Sequence, residues 1–301
     1  MTDSTVIITT KNRRYELRKA IVSALEQSAC PRVLVIDDGS TDGTSRMIEK
    51  EFPTVTLGRS EKSRGYIAQR NWAAELATTP FLFSLDDDAV FSARDIVETT
   101  LQQFDHPRVG AVAIPFVDVH RSRSIQQRAP HPDGVYASYT YIGTAHAVRR
   151  QLFLALGQYR EVLVHQGEEE DYCTRMLASG YVTRPGTSKP IHHFESAERN
   201  WERMDYYGAR NKILYAWHNV PWPHLAFHLA ATTFKTLLYN LHPTRFQTRL
   251  RGVLAGYKLA CDCSGARAPI PIPIYRLSRR LKRFGALPLE EVEPVLSGTS
   301  H

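Results

Sequence analysis

Acidic residues stand directly behind two short apolar runs, and this arrangement constrains the fold more than any other feature of the chain. Residues 32–38 read RVLVIDD and residues 81–88 read FLFSLDDD; an earlier run, VIITT at 6–10, gives way to the polar segment KNRR. Runs of this length bounded by polar clusters fit buried strands. Between the runs at 6–10 and 32–38 lies a stretch in which Leu17, Ala20, Ile21, Ala24 and Leu25 recur at helical spacing. Residues 42–52 and 68–76 fit two more helices, with a strand near Val55 between them. Strands alternating with helices in this way predict an α/β fold with a mostly parallel, Rossmann-like sheet flanked by helices. In open sheets of this kind ligands sit at the carboxyl ends of the strands. Both acid clusters, Asp37-Asp38 and Asp86-Asp87-Asp88, therefore fall on one rim.

The pattern continues with a strand-like run over 109–119, a polar surface loop over 121–138, and helices over 147–156 and 169–179, the last stopped by Gly180. Beyond Ser196 the composition shifts toward Trp, Tyr, His and Arg. Phe227, Ala230, Ala231, Phe234, Leu237, Leu238 and Leu241 trace a one-sided helix, which His228 and Lys235 make too polar for a membrane span. The IPIPI run at 270–274 is expected to be non-helical, and the last ~15 residues to lack structure. The expected organisation is a catalytic domain over 1–217 and a basic, amphipathic helical extension over 218–301.

Composition narrows the function classes. With 301 residues, 43% of them hydrophobic, the chain can bury a large core and is neither collagen-like nor disordered. Its net charge of +7 is concentrated: residues 245–283 hold ten Lys or Arg and one acid, Asp262. Such a segment suits an anionic membrane surface, and peripheral contact on the cytoplasmic face of the inner membrane is one expectation; packing of the 227–241 helix on the catalytic domain or on a partner subunit is the other. No recognition motif accompanies the charge, so nucleic acid is not expected as a partner. The cysteines, Cys30, Cys173, Cys261 and Cys263, form no CxxC pair, which leaves a reducing, cytoplasmic setting as the expectation. The opening MTDSTVIITTKN does not read as a secretory signal, so the mature chain is expected to start at or near Met1.

Three consecutive aspartates beside an apolar strand repel one another, and a bound divalent cation relieves that repulsion. Oxygen ligands on a rigid strand end suit Mg2+ or Mn2+ together with substrate phosphates. A second acidic run, Glu168 to Asp171, precedes a helix, where it either complements the helix dipole or supplies a general base. Ser40, Thr41 and Asp42 suit a helix N-cap, Arg70-Asn71 an exposed helix face, and His192-His193 packed or exposed histidines, when each is taken alone.

Taken together, the ordered segments VIITTKNR, VIDDGSTDGT, RGYIAQRN, FSLDDDAVF, GTAHAVRRQLFLALGQY, GEEEDYCTRMLASGY, IHH and YYGARNKIL resemble the inverting family-two glycosyltransferases of GT-A fold. The likeness is greatest to their rhamnosyl- and galactofuranosyltransferase-like branch, and it runs from about Ser4 to Leu214. The resemblance implies a nucleotide-sugar cradle in which Thr9, Thr10, Asn12 and Arg13 line the base and Asp37 and Asp38 bind base or ribose. Lys62 and Arg70 would approach the uracil or diphosphate, Asp86 and Asp88 the metal, and Asp87 the ribose. It further implies a base at Glu169, with Glu168 the alternative because a Glu replaces the usual Asp, and a metal-binding histidine, His192 in preference to His193. Arg210-Asn211 would help close the site over the diphosphate, and Gly143-Thr144 would lie on the acceptor side. Ser63, Trp72 and Ala73 depart from the family pattern and imply a donor pocket of different shape.

The expected activity is thus metal-dependent, inverting transfer from a nucleotide-diphosphate sugar, UDP- or dTDP-linked, to a glycan or lipid-linked hydroxyl in cell-envelope polysaccharide or glycoconjugate synthesis. The competing readings are an inactive nucleotide-sugar-binding regulator and a sugar nucleotidyltransferase. The second would show a Gly-rich loop after the first strand, where this chain has TTKNRR.

Overall fold

The computed structural model describes residues 3–194, 200–239, 241–262 and 267–298. One end of its main sheet is built of four parallel strands, β1 (Ser4–Thr10), β2 (Arg32–Asp37), β3 (Thr56–Arg59) and β4 (Phe81–Asp86). Helices α1 (Arg14–Leu25), α2 (Thr44–Glu51) and α3 (Tyr66–Leu76) connect them. Alternate strand residues point to opposite faces. Val6, Ile8, Val33 and Val35 therefore pack with Leu17, Ile21 and Ala24 of α1, while Ile7, Leu34 and Ile36 pack with Ile67 and Ala73 of α3. Burial on both faces is why these strands read as continuous apolar runs.

After β4 come β5 (Ala89–Phe91), α4 (Ile96–Gln102), β6 (Val109–Ala113), β7 (Phe116–Asp118), β8 (Ser122–Gln126) and β9 (Tyr136–Ser138). Next are β10 (His146–Arg149), α5 (Arg150–Ala155), a 3-10 turn (Glu161–Leu163), α6 (Glu168–Ala178), β11 (Val182–Pro185) and β12 (Ile191–His193). The C-terminal part holds α7 (Trp201–Asn219), α8 (His224–Leu238), α9 (Pro243–Asp262), α10 (Ile272–Phe284), β13 (Ala286–Pro288) and α11 (Leu289–Ser297). The main sheet has nine strands in the order β13-β9-β11-β6-β10-β4-β1-β2-β3, and a smaller sheet the order β5-β12-β7-β8. The mixed α/β class with a mostly parallel centre and C-terminal helices is as expected.

Several local expectations change. The helix expected from residue 147 starts at Arg150, because His146–Arg149 enters the sheet as an antiparallel strand between β4 and β6. The 121–138 segment is not all loop; it carries β8 and β9. Ile272–Ile274, expected to be non-helical, form the first turn of α10, where proline is tolerated because that amide has no helical partner. The tail expected to lack structure forms α11, with Leu289, Val292 and Leu296 buried, while residues 299–301 lie outside the described residues. The expected boundary after Trp217 falls two residues before the end of α7. Beyond it, α10 and α11 pack into the main core, and β13 pairs with β9 at the sheet edge.

Candidate active site

Asp86 ends β4, and Asp87 and Asp88 turn the chain into β5. Arg13, just beyond β1, reaches across the rim: its Nη1 lies 3.1 Å from Asp87 Oδ1 and 2.5 Å from Asp88 Oδ2. Thr10 Oγ1 donates to Asp87 Oδ2 at 2.8 Å. β12 runs antiparallel to β5 with His193 opposite Ala89, which brings His193 Nε2 to 3.2 Å from Asp88 Oδ1. Strand alternation turns neighbouring His192 the other way. The structure thus corrects the preferred histidine: His193, not His192, joins the acids. Asp86, Asp88 and His193 each offer one ligand atom, all within 4.8 Å of one another. Two carboxylate oxygens and an imidazole nitrogen fit Mg2+ or Mn2+.

The protonation pattern follows from this crowding. Burial pushes Asp87 up to about 7, against the pull of Arg13 and with the Asp88 and Asp86 charges adding to it. Burial would raise Asp88 too, but His193 and Arg13 hold it below its usual value. His193, which burial would lower, is raised by Asp88.

Arg70 links this cluster to the second acidic run. Its guanidinium is buried, with Nη2 2.7 Å from Asp86 Oδ1 and Nη1 3.4 Å from Glu168 Oε1. Glu168 has no solvent exposure and also accepts from Tyr66 Oη at 3.3 Å. Glu169 instead borders the cleft, and burial together with the Glu168 charge holds its carboxyl well above the usual range, with Arg70 opposing. Gly143 leaves room for this arrangement: a Cβ there would stand 2.6 Å from Glu169 Oε1 and 2.7 Å from Arg70 Nη1.

One cleft of about 650 Å³ is bordered by Thr9, Thr10, Arg13, Asp38, Arg70, Asp86, Asp87, Asp88, Gly143, Thr144, Glu169 and His193. Seven expected residues do not border it, Asn211 among them. Asp37 is fully buried and accepts from Ser40 N at 2.8 Å and Ser45 Oγ at 2.5 Å, so it braces the turn into α2. Asn12 ties two rim loops, its Oδ1 accepting from Thr41 N at 2.8 Å. Lys62 is exposed on the loop before α3. Glu168 is enclosed behind Arg70, and His192 lies on the other side of β12. Arg210 donates to the carbonyls of Val162 and Leu163 at 2.6 and 2.8 Å. It holds a loop rather than the cleft.

That loop carries features the sequence analysis missed. Leu163 O accepts from His165 N at 2.5 Å, closing a γ-turn with Val164 at φ +59°, and Gln166 and Gly167 follow at +69° and +88°. Positive φ is unfavourable for a β-branched residue, and such turns persist where the surroundings enforce them. Here Asn211 Nδ2 meets the carbonyls of Leu163, His165 and Gln166 at 2.8, 2.8 and 2.6 Å. The RN pair of α7 therefore clamps the segment that delivers Glu169. Asp38 has a similar role at α3: Ser63 Oγ, Gln69 Nε2 and the amides of Arg64 and Gly65 all donate to it. Burial would raise its carboxyl, but these hydrogen bonds hold it below the usual value. Tyr66, His165, Gln166 and Arg203 also border the cleft, and of these only Tyr66 lay inside a motif.

Sheet order, rim acids and cleft together define a GT-A-like protein, and solved structures bear out the fold. The mannosyltransferase PcManGT from Pyrobaculum calidifontis, in complex with GDP-Man and Mn2+, aligns with a TM-score of 0.58 at 20% identity over 99% of this chain and 86% of that one. S. aureus TarS 1-349 in complex with UDP-GlcNAc gives 0.60 at 16% identity, over 98% and 90%. Residues 5–157 match the family model described as Glycosyl transferase family 2, and the chain belongs to that family. Among curated proteins, the pre-mycofactocin glycosyltransferase of Mycobacterium tuberculosis is 28% identical over 69% of this chain and 46% of its own length. The succinoglycan biosynthesis protein ExoU of Rhizobium meliloti is 36% identical over 30% of this chain and 27% of its own. The chain thus spans less than half the length of either relative.

Proposed function

We propose that the protein is an inverting glycosyltransferase that moves a sugar from a nucleotide-diphosphate donor to an acceptor hydroxyl. The observation that carries this reading is that Asp86, Asp88, His193 and Glu169 face one cleft, with Arg70 fixed between Asp86 and the Glu168-Glu169 pair. Asp86, Asp88 and His193 would hold Mg2+ or Mn2+, which when bound supplies positive charge to the departing diphosphate. Thr9, Thr10, Arg13 and Asp38 line the donor end. Glu169 accepts the proton of the acceptor hydroxyl as that oxygen bonds to the anomeric carbon; the carbon–oxygen bond to the diphosphate breaks and the diphosphate leaves with the electron pair. Single displacement inverts the anomeric centre. Arg70, pinned at both ends, sets the separation between the two halves of the site.

The donor is a UDP- or dTDP-sugar, rhamnosyl- or galactofuranosyl-like, and the acceptor a glycan or lipid-linked hydroxyl. The named role of the succinoglycan relative supports a polysaccharide or glycoconjugate context. No helix among the described residues is long and apolar enough to cross a membrane, and peripheral contact with an anionic membrane fits the basic C-terminal region. The site lies within the unit read as 1–217, with 218–301 as its extension.

Thermal unfolding with a panel of nucleotide diphosphates and nucleotide sugars, each with and without Mn2+, tests this reading. A metal-dependent rise in Tm for one nucleotide class is expected, and it should vanish in Asp88→Ala. Full transfer activity in Asp88→Ala would sink the proposal; binding of the donor without turnover by any acceptor would favour the regulator instead.

A further inference from the structure

The first turn of α6 separates two chambers. Glu169 faces the donor cleft, Glu170 faces a second cavity of about 1050 Å³, and Gln166 borders both. That volume is ample for a small-molecule site. Five cations border the cavity, Lys212, Lys235, Arg279, Lys282 and Arg283, against a single carboxylate, Glu170. Lys282 Nζ lies 2.9 Å from Glu170 Oε1; among the described residues the other four have no carboxylate within 4 Å. Burial lowers the Lys212 ammonium, Glu170 opposes this, and the Lys282 and Arg249 charges add to it. So many like charges on one concave wall call for an anion.

The rest of the lining mixes polar side chains, among them Asn211, His224, His228, Thr232 and Thr236, with an apolar and aromatic patch of Phe227, Ala231, Tyr239 and Tyr275. From its rim, Phe227, Phe234, Leu238 and Leu241 continue as an exposed stripe, 81%, 66%, 48% and 65% accessible. The apolar rhythm of this helix therefore points outward rather than into the core. Charge inside and apolar surface leading out match an amphiphile better than a free sugar.

We propose that this cavity is the acceptor subsite and takes an anionic amphiphile in which one or two phosphates join a sugar to an apolar chain. The inference rests on the transferase reading above. The cations hold the phosphates, the aromatic wall and the α8 stripe receive the chain, and the sugar hydroxyl reaches over Gln166 to Glu169. A phosphate headgroup on a chain and a free diphosphate share this chemistry, and the experiment separates them.

Binding is measured by calorimetry on the full chain in EDTA, without nucleotide, using farnesyl diphosphate below its micelle concentration, inorganic pyrophosphate, and farnesol. Farnesyl diphosphate is expected to bind at least tenfold more tightly than either part alone. Reversing two cations that lack partners, Lys235→Glu with Arg279→Glu, should weaken it at least tenfold at unchanged Tm; if that pair lowers Tm, Lys235→Gln with Arg279→Gln replaces it. Pyrophosphate binding as tightly as the amphiphile, or either pair leaving affinity intact, would overturn the inference. So would a dimer in sedimentation equilibrium that the charge reversal dissociates, since it would assign this face to a second copy. EDTA keeps the donor site out of the readout, so failure here indicts the cavity alone, whereas failure of nucleotide binding with Mn2+ indicts the transferase reading.

Discussion

The proposed donor cleft and the basic cavity lie on either side of one helical turn, yet their charges are treated differently. In the cleft Arg13 holds Asp87 and Asp88, Arg70 spans Asp86 and Glu168, His193 meets Asp88, and Asp38 is saturated with donors. In the cavity four of the five cations meet no carboxylate among the described residues. Charges that are fixed before the reaction cost no reorganisation during it. Charges left without partners gain most from a ligand that brings the opposite sign. The contrast suits a cleft built for chemistry and a cavity built for capture.

The sharpest way to break the comparison is to remove the group proposed to work by proton transfer. Glu169→Gln is expected to lower kcat about a thousandfold while leaving donor affinity unchanged, the scale of a lost general base. Because burial and Glu168 raise the Glu169 carboxyl, the acidic limb of the kcat profile should lie above its usual value of 4.5 and disappear in the variant. The stability sign is opposite to that of an ordinary paired carboxylate. A raised folded value favours the folded state only while the group stays protonated, and that contribution is lost as pH rises through the folded value. Glu169→Gln should therefore have the higher Tm at pH 8, with the difference shrinking toward pH 4.5. Unchanged kcat would transfer the role to another group.

A smaller effect is expected where the loop between the chambers is clamped. Asn211→Ala leaves the carbonyls of Leu163, His165 and Gln166 without their shared donor, at a cost of roughly 2–3 kcal/mol for buried groups. The γ-turn at Val164 then relaxes, and kcat should fall about tenfold through misplacement of Glu169. Asn211→Asp, which cannot donate, should behave like the alanine variant, whereas a role in substrate contact alone would leave Tm unchanged.

These residues also show what was legible in the sequence. The acid clusters are legible in the sequence because each is contiguous and follows an apolar strand, so local pattern and place on the rim coincide, although only Asp38 of the first cluster borders the cleft. His192 and His193 cannot be separated in the sequence because motif spacing gives the strand but not its register, which the pairing with β5 sets. Arg210 and Asp37 lay in the right motifs but serve the frame, since hydrogen bonds to loop carbonyls and to a helix start leave no trace in a motif. The cavity was invisible for a stronger reason: its walls come from α6, α7, α8 and α10, spread from Gln166 to Arg283, and only tertiary packing brings them together. The apolar rhythm of α8 was read correctly as helical, yet periodicity reports a face without saying what that face meets.

The mildest test uses space instead of charge. At Gly143 an added methyl would press on the Glu169 carboxylate and on the Arg70 guanidinium that Asp86 and Glu168 hold in place, so Gly143→Ala should fold with stability lowered by about 1–3 kcal/mol. What it cannot preserve is their position. Displacing Glu169 by a fraction of an ångström should lower kcat several-fold, while the proposed donor contacts at Thr9, Thr10 and Asp38 are untouched. Enlarging Ala231 to Leu on the cavity wall supplies the contrast: kcat at saturating acceptor should hold while KM for an amphiphilic acceptor rises. A kcat loss at Ala231 equal to that at Gly143 would mean that the two chambers are one rigid site, and that the division at α6 has no functional meaning.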